Sequence, residues 1–214
     1  MQLTRSEFER RYADKALKIA FVGMSNIGKS YTGMRLATAF DFDLIEVDKL
    51  IWEALGQGSM ADFAAWQGQP YSEGYEEREA KSIALESNAT TKALSMDVGN
   101  AILDTTGSVI YTDPLLQEEV LSHWYVVHIF ASEDAVGRLK AQYFKHPKPL
   151  IWNGHFCRQT GETNEQAILN CYPDLLASRA QAYEKLADTR ISSDVILDPS
   201  QSIEDIFEAL KPPR

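Results

Sequence analysis

Residues Gly23-Met24-Ser25-Asn26-Ile27-Gly28-Lys29-Ser30 spell G-x-x-x-x-G-K-S, and no other stretch restricts the fold of this chain as tightly. The apolar run from Leu17 to Val22 precedes the motif and suits a buried parallel strand. Behind it, Met34, Leu36, Ala37 and Phe40 recur at helical spacing, which predicts a helix over Lys29 to Phe40. Strand, glycine turn and helix start form the context in which this motif (Walker A) binds phosphate. Gly23 and Gly28 let backbone N–H groups converge at a positively polarised helix N-terminus. Lys29 is then expected to reach the β and γ phosphates of a nucleoside triphosphate and the Ser30 hydroxyl to ligate magnesium. Ser25, Asn26, Ile27 and Tyr31 complete the cradle. ATP and Mg2+ are the cofactors this implies.

The rest of the chain alternates between strand-like and helix-like segments. A polar helix is expected over residues 4 to 15, a second strand over FDLIEVD and a helix from Lys49 to Leu55. GQGSMADFAAWQGQP reads as a loop or mobile segment, followed by a long helix over Ser72 to Ser95. Ala101 to Asp104 reads as a strand, Pro114 as the first residue of a helix, YVVHIFAS as the clearest later strand and Glu133 to Phe144 as a helix. KHPKPLIWNGHFCRQTGETN is expected to be a long loop rather than core. The chain closes with a helix over Pro173 to Ala187, a strand over Ile191 to Leu197 and a helix over Ile203 to Leu210. This order predicts an α/β fold: a doubly wound, mostly parallel sheet of about five strands, helices on both faces and ligands beyond the carboxyl ends of the strands. One domain over residues 1–214 is expected, with an acceptor region near 48–95 and a lid near 142–170.

Composition removes several alternatives. A formal net charge of −10 opposes a nucleic-acid footprint, which needs a clustered cationic face, so only small anions bound at local positive sites remain. No apolar run has membrane length, and the charged N-terminus lacks a secretory stretch, so a cytoplasmic location is expected. Cys157 and Cys171 match no metal or redox spacing and are expected to be buried or incidental free thiols.

Further residues carry potential chemistry. Asp104 ends an apolar strand before Thr105, Thr106 and Gly107, where it could hold magnesium directly or through water. Glu46 and Asp48 lie two apart at the end of the second strand and would share a side if that strand persists. There they could steer metal and accept a substrate hydroxyl proton; alternatively Asp48 is a helix N-cap and Glu46 a surface acid. Lys145, His146, Lys148, His155 and Arg158 make the long loop cationic within an acidic chain, as a phosphate-covering lid would be, although a solvated charge run is the ordinary reading. Trp52, Trp66 and Trp152, with His123 and His128, are expected to pack.

From Lys18 to Leu210 the order of these blocks resembles the shikimate kinase family. FVGMSNIGKSYTGMRLATAF is similar to the family's opening, IEVD to its D-x-D, GYEEREAKSI to its G-F-R-x-x-E helix start and SRAQAYEKLAD to its R-x-P-L-Y-x-x-x-A-D element. The resemblance implies a small-molecule kinase. In it Asp48 contacts the acceptor hydroxyl, Glu46 stands near magnesium, Arg179 binds an acidic substrate group and Lys148 of KPL replaces the lid arginine. Arg138 and Pro199 fall where adenine contacts are expected. Two departures bear on the acceptor. Glu76 stands where the family has a substrate-binding arginine, with Arg78 two residues on as a substitute, and Thr105-Thr106-Gly107-Ser108 replaces a glycine triplet. The expected function is therefore ATP-dependent phosphorylation of a small hydroxylated metabolite other than shikimate, bound near Arg78, Thr106, Gly107 and Arg179. A nucleoside or sugar-acid kinase, or a nucleotide-responsive binding protein with vestigial catalysis, are the alternatives.

Overall fold

The computed structural model describes residues 3–56, 60–145 and 150–213. Helix α1 (Arg5–Ala13) starts at Thr4, whose side chain accepts the Glu7 N–H, and drives Phe8 edge-on against Tyr125. Strand β1 (Lys18–Val22) is buried from Ile19 onward because both faces of the sheet are covered. The phosphate-loop motif leads into α2 (Lys29–Phe40), and β2 (Asp43–Glu46) and β3 (Ala101–Asp104) follow in the sequence as sheet strands. Strands β4 (Tyr125–Phe130) and β5 (Thr189–Ser192) complete a five-stranded parallel sheet of order β2-β3-β1-β4-β5.

That order sets the faces. The chain runs leftward from β1 to β2 through α2, but rightward in every later crossover. Right-handed connections therefore put α2 on one face and α5 (Tyr75–Leu94), α6 (Pro114–His123) and α8 (Asn164–Leu186) on the other. The closing helix α10 (Ile203–Leu210), capped by Ser202, packs against α2. Because loops leave the carboxyl ends of neighbouring β1 and β3 in opposite directions, a crevice opens between them. This is the switch point at which ligands of such sheets bind.

Several elements depart from the expectations. The second strand stops at Glu46, and α3 (Val47–Leu55) begins at once. Glu46 is thus the residue preceding the helix and Asp48 lies in its first turn, so Asp48 is not the cap and the two acids do not share a strand face. The Gly- and Gln-rich segment contains a helix, α4 (Met60–Gln67), because its MADFAAWQ core is made of good helix formers despite the flanking glycines. Helix α7 (Glu133–Lys145) leads to a loop that is not wholly outside the core: Leu150, Ile151 and Trp152 are buried, and the turn at Asn153 and Gly154, both at positive φ, sends the chain back out. Pro173 lies inside α8, whose start is set upstream by the capping box of Thr163 and Gln166 and whose buried Ile168, Tyr172, Leu175 and Leu176 hold it on both sides of the proline. The last strand ends at Ser192, whose hydroxyl accepts from the Asp194 N–H and opens the short helix α9 (Ser193–Leu197); only Ile196 of its apolar trio is buried.

Among the packing expectations, His128 is buried in β4 and Trp152 in the core, whereas His123 is exposed at the end of α6. Trp52 and Trp66 are 37% and 42% exposed, so neither is a core residue. Cys157 is exposed and Cys171 half-buried. The two are reduced but touch, the Cys157 N–H donating to Cys171 Sγ at 3.3 Å, which pins the loop to α8. No helix among the described residues is long and apolar enough to cross a membrane.

Candidate active site

The loop after β1 is curled on itself. Gly23 (φ 145°) and Gly28 (φ 108°) both occupy backbone conformations that side chains resist, and a Cβ on Gly23 would lie 2.5 Å from the Ile129 carbonyl oxygen. Gly28 precedes α2 without a side-chain cap, so the first N–H groups of the helix are left to face a ligand. Lys29 is buried, and its Nζ donates to the carbonyls of Gly23 and Met24 at 3.0 Å each. Asn26 bulges outward at φ 63°, Ile27 anchors the loop in the core, and Ser30 and Tyr31 are exposed at its exit.

Across the crevice, β3 delivers its acid. Asp104 pairs in register with Phe21 of β1 on one side and Glu46 of β2 on the other. Adjacent strands are about 4.8 Å apart, which sets Glu46 and Asp104 side by side at the carboxyl edge. Asp104 is buried, and its Oδ1 has no hydrogen-bond partner among the described residues. No group of three or more His, Cys, Asp or Glu side chains able to hold a metal occurs among the described residues. The arrangement fits magnesium of the kind that uses one or two carboxylates and fills its remaining positions with water and substrate phosphates. Ser30, Glu46 and Asp104 are the residues that would hold it.

Beside the loop lies a cleft of about 550 Å³, open mouth included. Asp48, Ile51 and Trp52 of α3 form one wall and Phe63 and Gln67 of α4 another, while Ser82 and Glu86 of α5 form the back. The floor is Thr106, Gly107 and Ser108 of the loop after β3 together with Ser25. Gly107 is the seam: a Cβ there would meet Ser25 Oγ at 3.1 Å and Ser25 N at 3.2 Å. Arg179, 1% exposed, reaches in from α8, its Nη1 donating to the Gly107 carbonyl at 2.9 Å and its Nη2 to the Ile151 carbonyl at 2.6 Å. It thereby ties the floor to the loop after α7, and the Tyr183 hydroxyl also donates to the Gly107 carbonyl. Arg179 Nε is buried and has no hydrogen-bond partner among the described residues.

Glu86 dominates the electrostatics. Its carboxylate accepts hydrogen bonds from the Thr106 and Ser108 hydroxyls. Burial pushes its pKa up to about 7, against the pull of these two hydroxyls and of Arg179, and the negative charge of Asp48 adds to the rise.

The structure brings Ser25, Asp48, Thr106, Gly107 and Arg179 of the expected set into this cleft, next to the Lys29 loop. Arg78 is elsewhere: its Nε donates to the Gln67 carbonyl at 2.9 Å, so it braces α4 behind the cleft wall and does not line the cleft. Glu76 is exposed. Arg138 pairs with Asp194 at 3.0 Å on the surface, and Pro199 is exposed in the turn between α9 and α10. Lys148 lies outside the described residues. Sequence reasoning missed Glu86, Gln67 and Phe63 as cleft residues and took Trp52 for packing. A signal for Glu86 existed in the polar stripe Ser82, Glu86 and Thr90, which recurs at four-residue spacing along α5 and is buried.

No family model matches the chain. A shikimate kinase of Xanthomonas oryzae pv. oryzae (strain PXO99A) is 30% identical over 179 residues, which cover 84% of each protein. The chain belongs to the shikimate kinase family. A second shikimate kinase, from Xanthomonas axonopodis pv. citri (strain 306), is 23% identical over 179 residues, again 84% of each. The fold of the family is also that of the shikimate kinase from Bacteroides thetaiotaomicron, with a TM-score of 0.64 at 18% identity over 91% of this chain and 98% of that one. The shikimate kinase from Acinetobacter baumannii in complex with shikimate gives a TM-score of 0.60, also at 18% identity, over 92% of both chains. At the level of the shikimate kinase family, the protein is a small-molecule kinase.

Proposed function

We propose that this protein transfers the γ-phosphoryl group of ATP, with magnesium, to a hydroxyl of a small metabolite other than shikimate. The observation that carries the reading is the single crevice in which the Lys29 loop, the Asp104 and Glu46 edge and a cleft containing Asp48 and Arg179 meet. Family membership favours this over a nucleotide-responsive binding module.

In the proposed reaction the loop N–H groups and the start of α2 hold the phosphates. Lys29 leaves the Gly23 and Met24 carbonyls to bind phosphate oxygen. Asp48 orients the acceptor hydroxyl and takes its proton as the new O–P bond forms and the bond to ADP breaks. Ser30, Glu46 and Asp104 would hold magnesium, which would supply charge neutralisation on the phosphates. Lys148 acts from the lid on the transferring group. Positioning and electrostatics provide most of the acceleration, as in phosphoryl transfer generally.

An acceptor unlike shikimate is supported by the cleft chemistry. The arginine that the family directs at the acceptor carboxylate is replaced by Glu76, Arg78 is engaged on Gln67, and a carboxylate, Glu86, occupies the back of the cleft instead. The test is ADP release with ATP and magnesium across a panel of small hydroxylated metabolites that includes shikimate, with Lys29→Ala as control. The expected result is Lys29-dependent stimulation by a compound other than shikimate. A Lys29→Ala protein with near-native turnover would sink the assignment of the loop, and stimulation by shikimate alone would remove the claim of a changed acceptor.

A further inference from the structure

We propose that the acceptor held in this cleft is a compact hydroxylated amine in its ammonium form, recognised by the Glu86 carboxylate and the Trp52 and Phe63 rings, and not a hydroxy acid. The inference rests on the kinase reading above and specifies the substrate class of the same site.

The Glu86 carboxylate has no cation bonded to it among the described residues. The guanidinium in the same cleft wall is that of Arg179. That guanidinium has spent both Nη groups on the main-chain carbonyls of Gly107 and Ile151, and among the described residues it forms no ion pair with Glu86. A carboxylate only 3% exposed is costly unless a positive group compensates it. The Thr106 and Ser108 hydroxyls give it neutral donors only, one to each oxygen, and a carboxylate has about four acceptor positions, so room remains for a further donor. An ammonium supplies the missing charge and the donors in one small group.

Two independent features agree. Trp52, 37% exposed, and Phe63, stacked on Trp66, line the cleft, and the faces of aromatic rings attract cations and repel anions. Arg179 Nε, in the same wall, is a buried N–H without a partner among the described residues. It suits a hydroxyl oxygen of the acceptor, which fixes the molecule's orientation while Asp48 addresses the hydroxyl to be phosphorylated. An anionic acceptor would have to approach the Glu86 carboxylate.

The experiment uses the full chain with ADP and magnesium bound and follows calorimetric binding of three probes matched in ring and hydroxyl: trans-2-aminocyclohexanol, trans-cyclohexane-1,2-diol and trans-2-hydroxycyclohexanecarboxylate. The amine is expected to bind at least about tenfold more tightly than the diol, and the carboxylate least tightly. Glu86→Gln should weaken the amine by about tenfold or more and the diol by no more than about threefold. Trp52→Leu, away from the buried hydroxyl network, should weaken the amine more than the diol and keeps the inference testable if Glu86→Gln misfolds. Equal or tighter binding of the carboxylate, or an amine affinity indifferent to both substitutions, overturns the proposal. So does binding of ADP with no response to any probe, which leaves the kinase reading standing. Failure to bind ADP and magnesium at all defeats that reading as well.

Discussion

Replacing Glu86 by Gln should make the protein more stable as pH rises, which is unusual for loss of a hydrogen-bonded carboxylate. In the folded chain burial lifts the Glu86 pKa from 4.5 to about 7, so the folded state binds this proton more tightly than the unfolded state. Stability from the protonated carboxyl is therefore complete below about pH 4.5 and is lost as pH climbs through about 7. At 1.36 kcal/mol per pH unit the loss amounts to about 3 kcal/mol, an upper figure because neighbouring hydroxyls and Arg179 rearrange as the charge appears. Gln occupies the same volume, accepts through its carbonyl and donates to whichever hydroxyl reverses, so its own contribution is independent of pH. For a chain of this size, 3 kcal/mol corresponds to about 6–12 °C in Tm. Thermal unfolding of both proteins without ligand, from about pH 5 to about pH 8.5, should show the variant gaining on wild type by up to this amount. A Tm difference that is flat across the range, or that moves against the variant at high pH, would refute the claim that Glu86 is a strained buried acid.

Two further outcomes follow from the loop and the strand edge. Gly23→Ala should lower stability by about 3 kcal/mol or more and abolish ATP binding, because its methyl is directed into the Ile129 carbonyl from a backbone conformation that L-residues resist. Near-native Tm and ATP affinity would show that the loop moves freely. Asp104→Asn should raise the magnesium concentration needed for half-maximal turnover by about tenfold or more, with the fold retained, since Oδ1 makes no hydrogen bond among the described residues. An unaltered magnesium dependence would remove Asp104 from the metal.

How much of this was legible in the sequence depended on whether local pattern or tertiary contact decided the outcome. The Lys29 loop, β3 and α10 follow from contiguous residues whose periodicity and punctuation agree, and their extents match the expectations closely. The misreadings arose where one strong residue signal competed with a weaker extended one. Pro173 outweighed the capping box of Thr163 and Gln166, and the glycines around MADFAAWQ outweighed its helix formers. IEVD looked like continuous strand because nothing local announces that β2 gives way to α3 after Glu46. Glu86 was least legible: a glutamate within a helix rich in Glu and Lys reads as solvated, and only the packing of α5 over the loop after β3 turns it inward.

The strand order divides the labour of the crevice between two halves of the chain. In the proposed reaction the residues that would grip nucleotide come from the loop after β1 and from α2, whereas those lining the cleft proposed for the acceptor come from α3, α4, α5 and the loop after β3. A laboratory redesign of acceptor preference can therefore work on Glu86, Thr106, Ser108, Trp52 and Phe63 as one interchangeable set while leaving the ATP-handling half untouched. Gly107 marks where that freedom ends. Its missing side chain is the clearance between the two halves, and a single added methyl would press the acceptor floor into Ser25, so that a change meant for one ligand would be felt by the other.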